Sequence, residues 1–116
     1  MGLTTHGLDT AQGKPATGVR FRLRGGGGHE RKLVDSYTTN ADGRTDTPLL
    51  QGEDGIGGTW ELVYLVGEYF AGQAVVQDDP PFLDEVTIRF TMGEDERHYQ
   101  APLLVSPWAH STYRGS

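Results

Sequence analysis

The chain has 116 residues, enough for one domain and too few for two. A hydrophobic fraction of 35% with 17 glycines predicts a modest core and many turns, and the absence of cysteine excludes disulfides, thiolate metal sites and a cysteine nucleophile. The net charge of −6 argues against nonspecific nucleic-acid binding, no apolar run approaches the ~20 residues of a membrane span, and no basic, apolar leader opens the chain, so a soluble cytoplasmic protein is expected, as it would be for a processed mature form.

The first strand is expected over 3–9, with Leu3, Thr5 and Gly7 on one face and Thr4, His6 and Leu8 on the other. Residues 9–15 read as a turn, because Gly13 and Pro15 interrupt a ladder. Residues 19–24 alternate strictly, with Val19, Phe21 and Leu23 inward and three arginines outward on a solvated face. Gly25 to Gly28 lacks the Gly-Lys-Ser/Thr of a phosphate-binding loop and reads as a connector. A weaker strand is expected over 32–39.

Asp42-Gly43 marks a turn with Arg44 directly after it, leading into a short extended piece. Residues 59–66, rich in Trp, Val, Tyr and Leu, predict a strand; 67–72 can hold one or two helical turns closed by Gly72. Asp78-Asp79-Pro80-Pro81 forces a loop. Residues 85–92 predict a strand with Val86, Ile88 and Phe90 inward, followed by an acidic turn at 93–96. In the next strand His98 and Gln100 share one face and Tyr99 takes the other; a Ser106-Pro107 turn then returns the chain antiparallel. Seven or eight short strands and one short helix, with turn signals every ~8–12 residues, predict an all-β sandwich or barrel.

Taken singly, His6 reads as a structural or surface histidine, Arg44 as a solvated turn residue and Tyr113 as a packing residue. Their local sequences change that reading. Leu3-Thr4-Thr5-His6-Gly7-Leu8-Asp9-Thr10, Thr39-Asn40-Ala41-Asp42-Gly43-Arg44-Thr45, Tyr69-Phe70, Phe82-Leu83-Asp84, Pro102-Leu103-Leu104-Val105-Ser106-Pro107 and Ser111-Thr112-Tyr113-Arg114-Gly115-Ser116 resemble, in order, the 5-hydroxyisourate hydrolases, the transthyretin-related proteins. The terminal Tyr-Arg-Gly-Ser is the most specific motif, since it separates the hydrolases from the hormone-carrying transthyretins.

The resemblance implies one transthyretin-like domain over 1–116, a two-sheet β-sandwich. It implies a homotetramer with sites at the interface between dimers, a small-molecule substrate, and hydrolysis of the ring amide of 5-hydroxyisourate in urate breakdown. The implied catalytic groups are His6, Arg44, Tyr113 and Ser116. His98, Gln100, Arg114 and Gly115 are expected to join His6, Arg44 and Tyr113 around the substrate.

Two positions depart from the family. Its usual His-Tyr-His run is His98-Tyr99-Gln100 here, and Gly7 stands where a β-branched or apolar residue is usual, which predicts a looser setting for His6. Gln100 hydrogen-bonds but cannot titrate. His98 lies two residues along the same face, ~6.5–7 Å away, too far to make the same hydrogen bond. Hydrolysis of a related cyclic ureide or amide, and noncatalytic small-molecule binding, therefore stand as alternatives. Histidines 6, 29, 98 and 110 show no metal-ligand spacing, and no flavin, nicotinamide or pyridoxal fingerprint is present, so neither metal nor cofactor is expected.

Overall fold

A computed structural model describes residues 2–25, 32–51, 57–93 and 98–115. Most of the glycine connector, His29, the acidic turn beyond Gly93, and Ser116 lie outside them. In chain order the elements are β1 (Gly2–Asp9), β2 (Lys14–Pro15), β3 (Arg20–Gly25), β4 (Lys32–Thr38), β5 (Leu50–Gln51), β6 (Gly58–Tyr64), α1 (Val66–Ala71), β7 (Val86–Met92), β8 (His98–Val105) and β9 (His110–Thr112). One sheet runs β2-β1-β8-β9, with β5 against the start of β1; the other runs β4-β3-β6-β7. The pairing of β1 with β8 is parallel, and the other pairings are antiparallel.

The expected two-sheet sandwich forms because alternating strands turn one face of each sheet to a shared interior. Leu3 from β1, Leu23 from β3, Leu62 from β6 and Leu103 from β8 meet there, each at most 1% exposed. Cutting such a leucine to alanine costs roughly 2–5 kcal/mol, because the neighbours only partly refill the space. Phe21 stacks between Tyr37 and Tyr64, with ring centroids 5.3 and 4.7 Å away. The Thr5 hydroxyl donates to the Ala101 carbonyl at 2.8 Å, which leaves its oxygen to accept from the Tyr64 hydroxyl. That buried chain joins β1 and β8 to β6 across the sandwich and satisfies each of its hydroxyls.

Several boundaries differ from expectation. Lys14–Pro15, expected within a turn, pairs with Leu8 and Asp9 as β2, because Gly13 (φ +67°) reverses the chain tightly enough to bring it back. The two-residue β2 and β5 bring the described strands to nine rather than seven or eight. The strand expected over 59–66 ends at Tyr64, and Val66 already opens the helix. A six-residue helix is far below the ~12–15 residues at which isolated helices become even marginal. It is held by burying Val66, Tyr69 and Phe70, and by the Tyr69 hydroxyl, which donates to Asp9 at 2.8 Å. The buried Asp9 carboxylate also accepts from the Gln12 backbone at 2.9 Å and the Gln12 amide at 2.8 Å. Burial, reinforced by the Asp9 carboxylate, pushes the Tyr69 hydroxyl far above its usual range.

The outward arginines of β3 are partnered as well as solvated. Arg20 pairs with Glu68, and Arg22 with Glu85 at 3.0 Å. Beside them Arg89 holds the nearly buried Glu61 at 2.9 Å. Among the described residues no helix is long and apolar enough to cross a membrane.

Candidate active site

The outward face of the β1–β8 sheet carries Thr4 and His6 from one strand and His98 and Gln100 from the other. Parallel register sets Thr4 opposite Gln100 and His6 opposite Pro102. Arg44 arrives from outside the sheet on a turn that the sequence builds closely. The Asn40 side-chain oxygen accepts from the backbones of Asp42 at 2.9 Å and Arg44 at 3.1 Å. The Asn40 backbone accepts from Gly43 at 3.0 Å and donates to Arg44 at 2.8 Å. Asn-x-Asp-Gly-Arg is thus a self-capped loop, with asparagine serving as a local acceptor.

Glycine at 43 has a further reason. Its φ is +75°, and a Cβ there would lie 2.3 Å from the Gly7 carbonyl oxygen. That close approach lets Gly7 N donate to Gly43 O at 2.7 Å, while Gly7 O accepts from Ala16 N at 2.9 Å. The looser strand expected from Gly7 is therefore not what forms: the residue after His6 is clamped through both its backbone N–H and its carbonyl.

The staple sets His6 beside Arg44. Burial lowers the His6 pKa below 6.5, and the Arg44 charge lowers it further; a hydrogen bond to the Asp42 backbone and the Asp42 carboxylate act in the opposite direction. His6 is thereby biased toward the neutral imidazole at pH 7, the form that accepts a proton. Arg44 lines a depression of about 120 Å³ with Thr4, Thr45, Asp46 and Pro48; His6 is not among its lining residues.

The terminal segment approaches from the other side. β9 pairs with β8 through Leu103 and Thr112, and an isolated bridge pairs Gln100 with Gly115, whose N–H donates to the Gln100 carbonyl at 2.9 Å. A Cβ at 115 would lie 2.1 Å from the Gln100 side-chain oxygen, so glycine is what lets the tail pass over this side chain. The Arg114 guanidinium sits 4.7 Å above the Tyr99 ring, and Tyr113 is exposed. Both help line a second depression of about 210 Å³, walled by Ile88 and Phe90 of β7 and Tyr99 and Ala101 of β8.

The predicted residues thus fall into two groups. His6 and Arg44 are brought together, and Tyr113, Arg114 and Gly115 form the second group. Gln100 lines the second depression with Tyr113 and Arg114, and its strand stands between those of Thr4 and Gly115 in a row that spans roughly 10 Å at ~4.8 Å per strand. His98 hydrogen-bonds not to Gln100 but across to Thr4, with Nε2 and Oγ1 3.1 Å apart. Thr4 had a sequence signal, two residues before His6 on the same face, but its partner is 94 positions away and no local pattern reveals it.

A family model described as the HIUase/Transthyretin family matches residues 3–115. A 5-hydroxyisourate hydrolase of Deinococcus radiodurans is 54% identical over 115 residues, covering 99% of this chain and 96% of that protein. The crystal structure of (S)-allantoin synthase is similar over 99% of this chain, with a TM-score of 0.92 and 42% identity; the chain spans 43% of that longer protein. The Klebsiella pneumoniae 5-hydroxyisourate hydrolase is similar over 100% of both chains, with a TM-score of 0.79 and 31% identity. Since the match runs through β1, the stapled turn and the terminal bridge alike, this chain belongs to the HIUase/Transthyretin family.

Proposed function

We propose that this protein hydrolyses the ring amide of 5-hydroxyisourate in urate breakdown. The observation that carries the reading is the Gly43–Gly7 staple, which holds a cation beside a histidine biased toward its neutral form. Relatives bearing the hydrolase name support it. Opening a cyclic amide needs a base for the attacking water, a stabiliser for the developing oxyanion and a proton for the departing nitrogen. His6 takes the water proton. Arg44 holds the oxyanion through charge-assisted bonds and, being permanently charged, does not itself give up a proton. Gln100 positions substrate or water by hydrogen bonds. Tyr113 and Ser116 keep the catalytic part that the resemblance implies, with Arg114 and Gly115 around the substrate.

In the same reading the enzyme is a cytoplasmic homotetramer of one-domain subunits, with sites at the interface between dimers. The depressions of about 120 and 210 Å³ support this, since each is smaller than the ~300 Å³ at which ligand pockets usually begin. Sedimentation at micromolar concentration is expected to give four chains, and a monomer would remove the shared site. The decisive assay follows freshly generated 5-hydroxyisourate by absorbance. Decay well above the buffer rate is expected; decay at the buffer rate would overturn the assignment. A second reading, a related cyclic ureide as substrate, rests on Gln100, and a preference for that ureide in the same assay would favour it.

A further inference from the structure

The hydrolase reading assigns the water proton to His6 but names no group that protonates the departing ring nitrogen. Gln100 has no proton to give in acid–base exchange, and Arg44 holds its own. Two histidines share the described outward face of the β1–β8 sheet: His6 and His98. His98 has an exposed ring on β8 and does not line the Arg44 depression. Its Nε2 is hydrogen-bonded at 3.1 Å to the hydroxyl of Thr4, which does line that depression. The ring is also seated from behind. A Cβ at Gly2 would lie 3.0 Å from His98 Nδ1 and 3.3 Å from the Leu50 carbonyl, so glycine there leaves space for the imidazole between the sheet and Thr4. A hydroxyl is both donor and acceptor, so it can pass on one proton while receiving another.

We infer that Thr4 and His98 form the proton-delivery arm of this site: Thr4 touches the substrate, and His98 stands behind it as the positioning residue that reloads it. The inference rests on the hydrolase reading. In the balanced step, the water oxygen bonds to the ring carbonyl carbon and one water proton passes to His6. As the carbon–nitrogen bond breaks, the nitrogen keeps the bonding pair and takes the Thr4 hydroxyl proton. Thr4 Oγ1 then takes the Nε2 proton of the imidazolium form of His98. His98 recovers a proton from bulk water, to which it is exposed, and His6 releases one there. One water has been added across the bond, and both histidines return to their starting forms. This arm reaches the substrate from the Thr4 side of Gln100, one strand away, so it works with glutamine at position 100.

The test uses the full chain and steady-state hydrolysis of 5-hydroxyisourate, with wild type and His6→Ala as references. Thermal melting confirms that each variant is folded. His98→Gln is expected to lower kcat about tenfold to a hundredfold with KM within about twofold, since a positioned proton donor contributes up to ~10²–10⁴ and water replaces part of it. Thr4→Val, of nearly the same shape, should lose as much. Thr4→Ser, which keeps the hydroxyl, should recover most of what Thr4→Val loses. Added imidazole should restore part of kcat in His98→Gln but none in Thr4→Val, because the relay hydroxyl is missing there. An unchanged kcat in His98→Gln, with His6→Ala inactive, overturns the proton arm and leaves the hydrolase reading standing. A loss in KM alone, or equal imidazole rescue of both variants, also overturns it. A wild type that does not hydrolyse 5-hydroxyisourate removes the function and the arm together.

Discussion

The stapled turn and the terminal segment both carry side chains to the same sheet, yet they are built differently. Arg44 stands on a loop closed by four hydrogen bonds of Asn40 and riveted to β1 through Gly43 and Gly7. Among the described residues, Tyr113 to Gly115 are held by one backbone bond at Gly115 and a ring contact at Arg114, and Tyr113 remains exposed. The first arrangement is preorganised within one chain, so its chemistry does not wait for substrate. The second presents groups that still need a counterpart. A site that combines the two has a fixed wall and an adjustable one.

The largest break is His6→Ala. It removes the group proposed as the base, and kcat/KM should fall about a hundredfold to ten thousandfold while the melting temperature stays within a few degrees. Full retained activity, measured in the same absorbance assay, would place the base elsewhere. Gly43→Ala tests the wall rather than the base. The new Cβ would lie 2.3 Å from a backbone oxygen that cannot swing away, at φ +75°. We expect roughly 1–3 kcal/mol of lost stability and a kcat/KM loss of about tenfold to a hundredfold from misplaced Arg44. Denaturant titration beside kinetics reads both, and an unaltered protein would mean that the staple is dispensable.

Gly115→Ala probes the adjustable wall. Its Cβ would lie 2.1 Å from the Gln100 side-chain oxygen, which can rotate aside, and 3.1 Å from the Gln100 Cβ, which can only shift with its strand. Stability should therefore fall by less than in Gly43→Ala, while kcat/KM falls about threefold to tenfold as Gln100 is turned. A stability loss matching that of Gly43→Ala would erase the distinction between the walls.

The smallest effect is in pH. With the His6 pKa below 6.5, activity should rise along an acidic limb centred below 6.5. Arg44→Gln removes a charge that lowers this pKa, so the residual activity should show the limb moved upward. The sign for stability follows. The unfolded histidine binds its proton more readily, so the stability gained from neutral His6 is complete above about 6.5 and is lost as the pH falls toward the folded value. A limb centred above 6.5 in the wild type would contradict the surroundings described for His6.

Period-two alternation made β1, β3 and β8 legible, and with them the faces of His6, His98 and Gln100. The Asp42-Gly43 turn was legible because its bonds are local. What stayed hidden depends on distant partners. Thr5 meets Tyr64 59 positions away, Asp9 meets Tyr69 60 away, and Thr4 meets His98 94 away. None of these pairs leaves a trace in a short window. Lys14–Pro15 was misread for a related reason: a two-residue strand carries no periodicity, and its neighbouring glycine and proline signal a turn. The division of the site residues into two groups was equally invisible, since sequence motifs give membership but not separation.

The parallel pairing of β1 with β8 also has a consequence for the order of events during synthesis. Each strand of that pair meets a partner about 96 positions away, so closing it carries the entropy of a very long loop and comes late in folding. A ribosome must release nearly the whole chain before β8 can join β1. Until then His6 and Arg44 belong to a half-built sheet whose edge is open, a state prone to join other open edges. On the hydrolase reading, activity is therefore expected only from the completed fold.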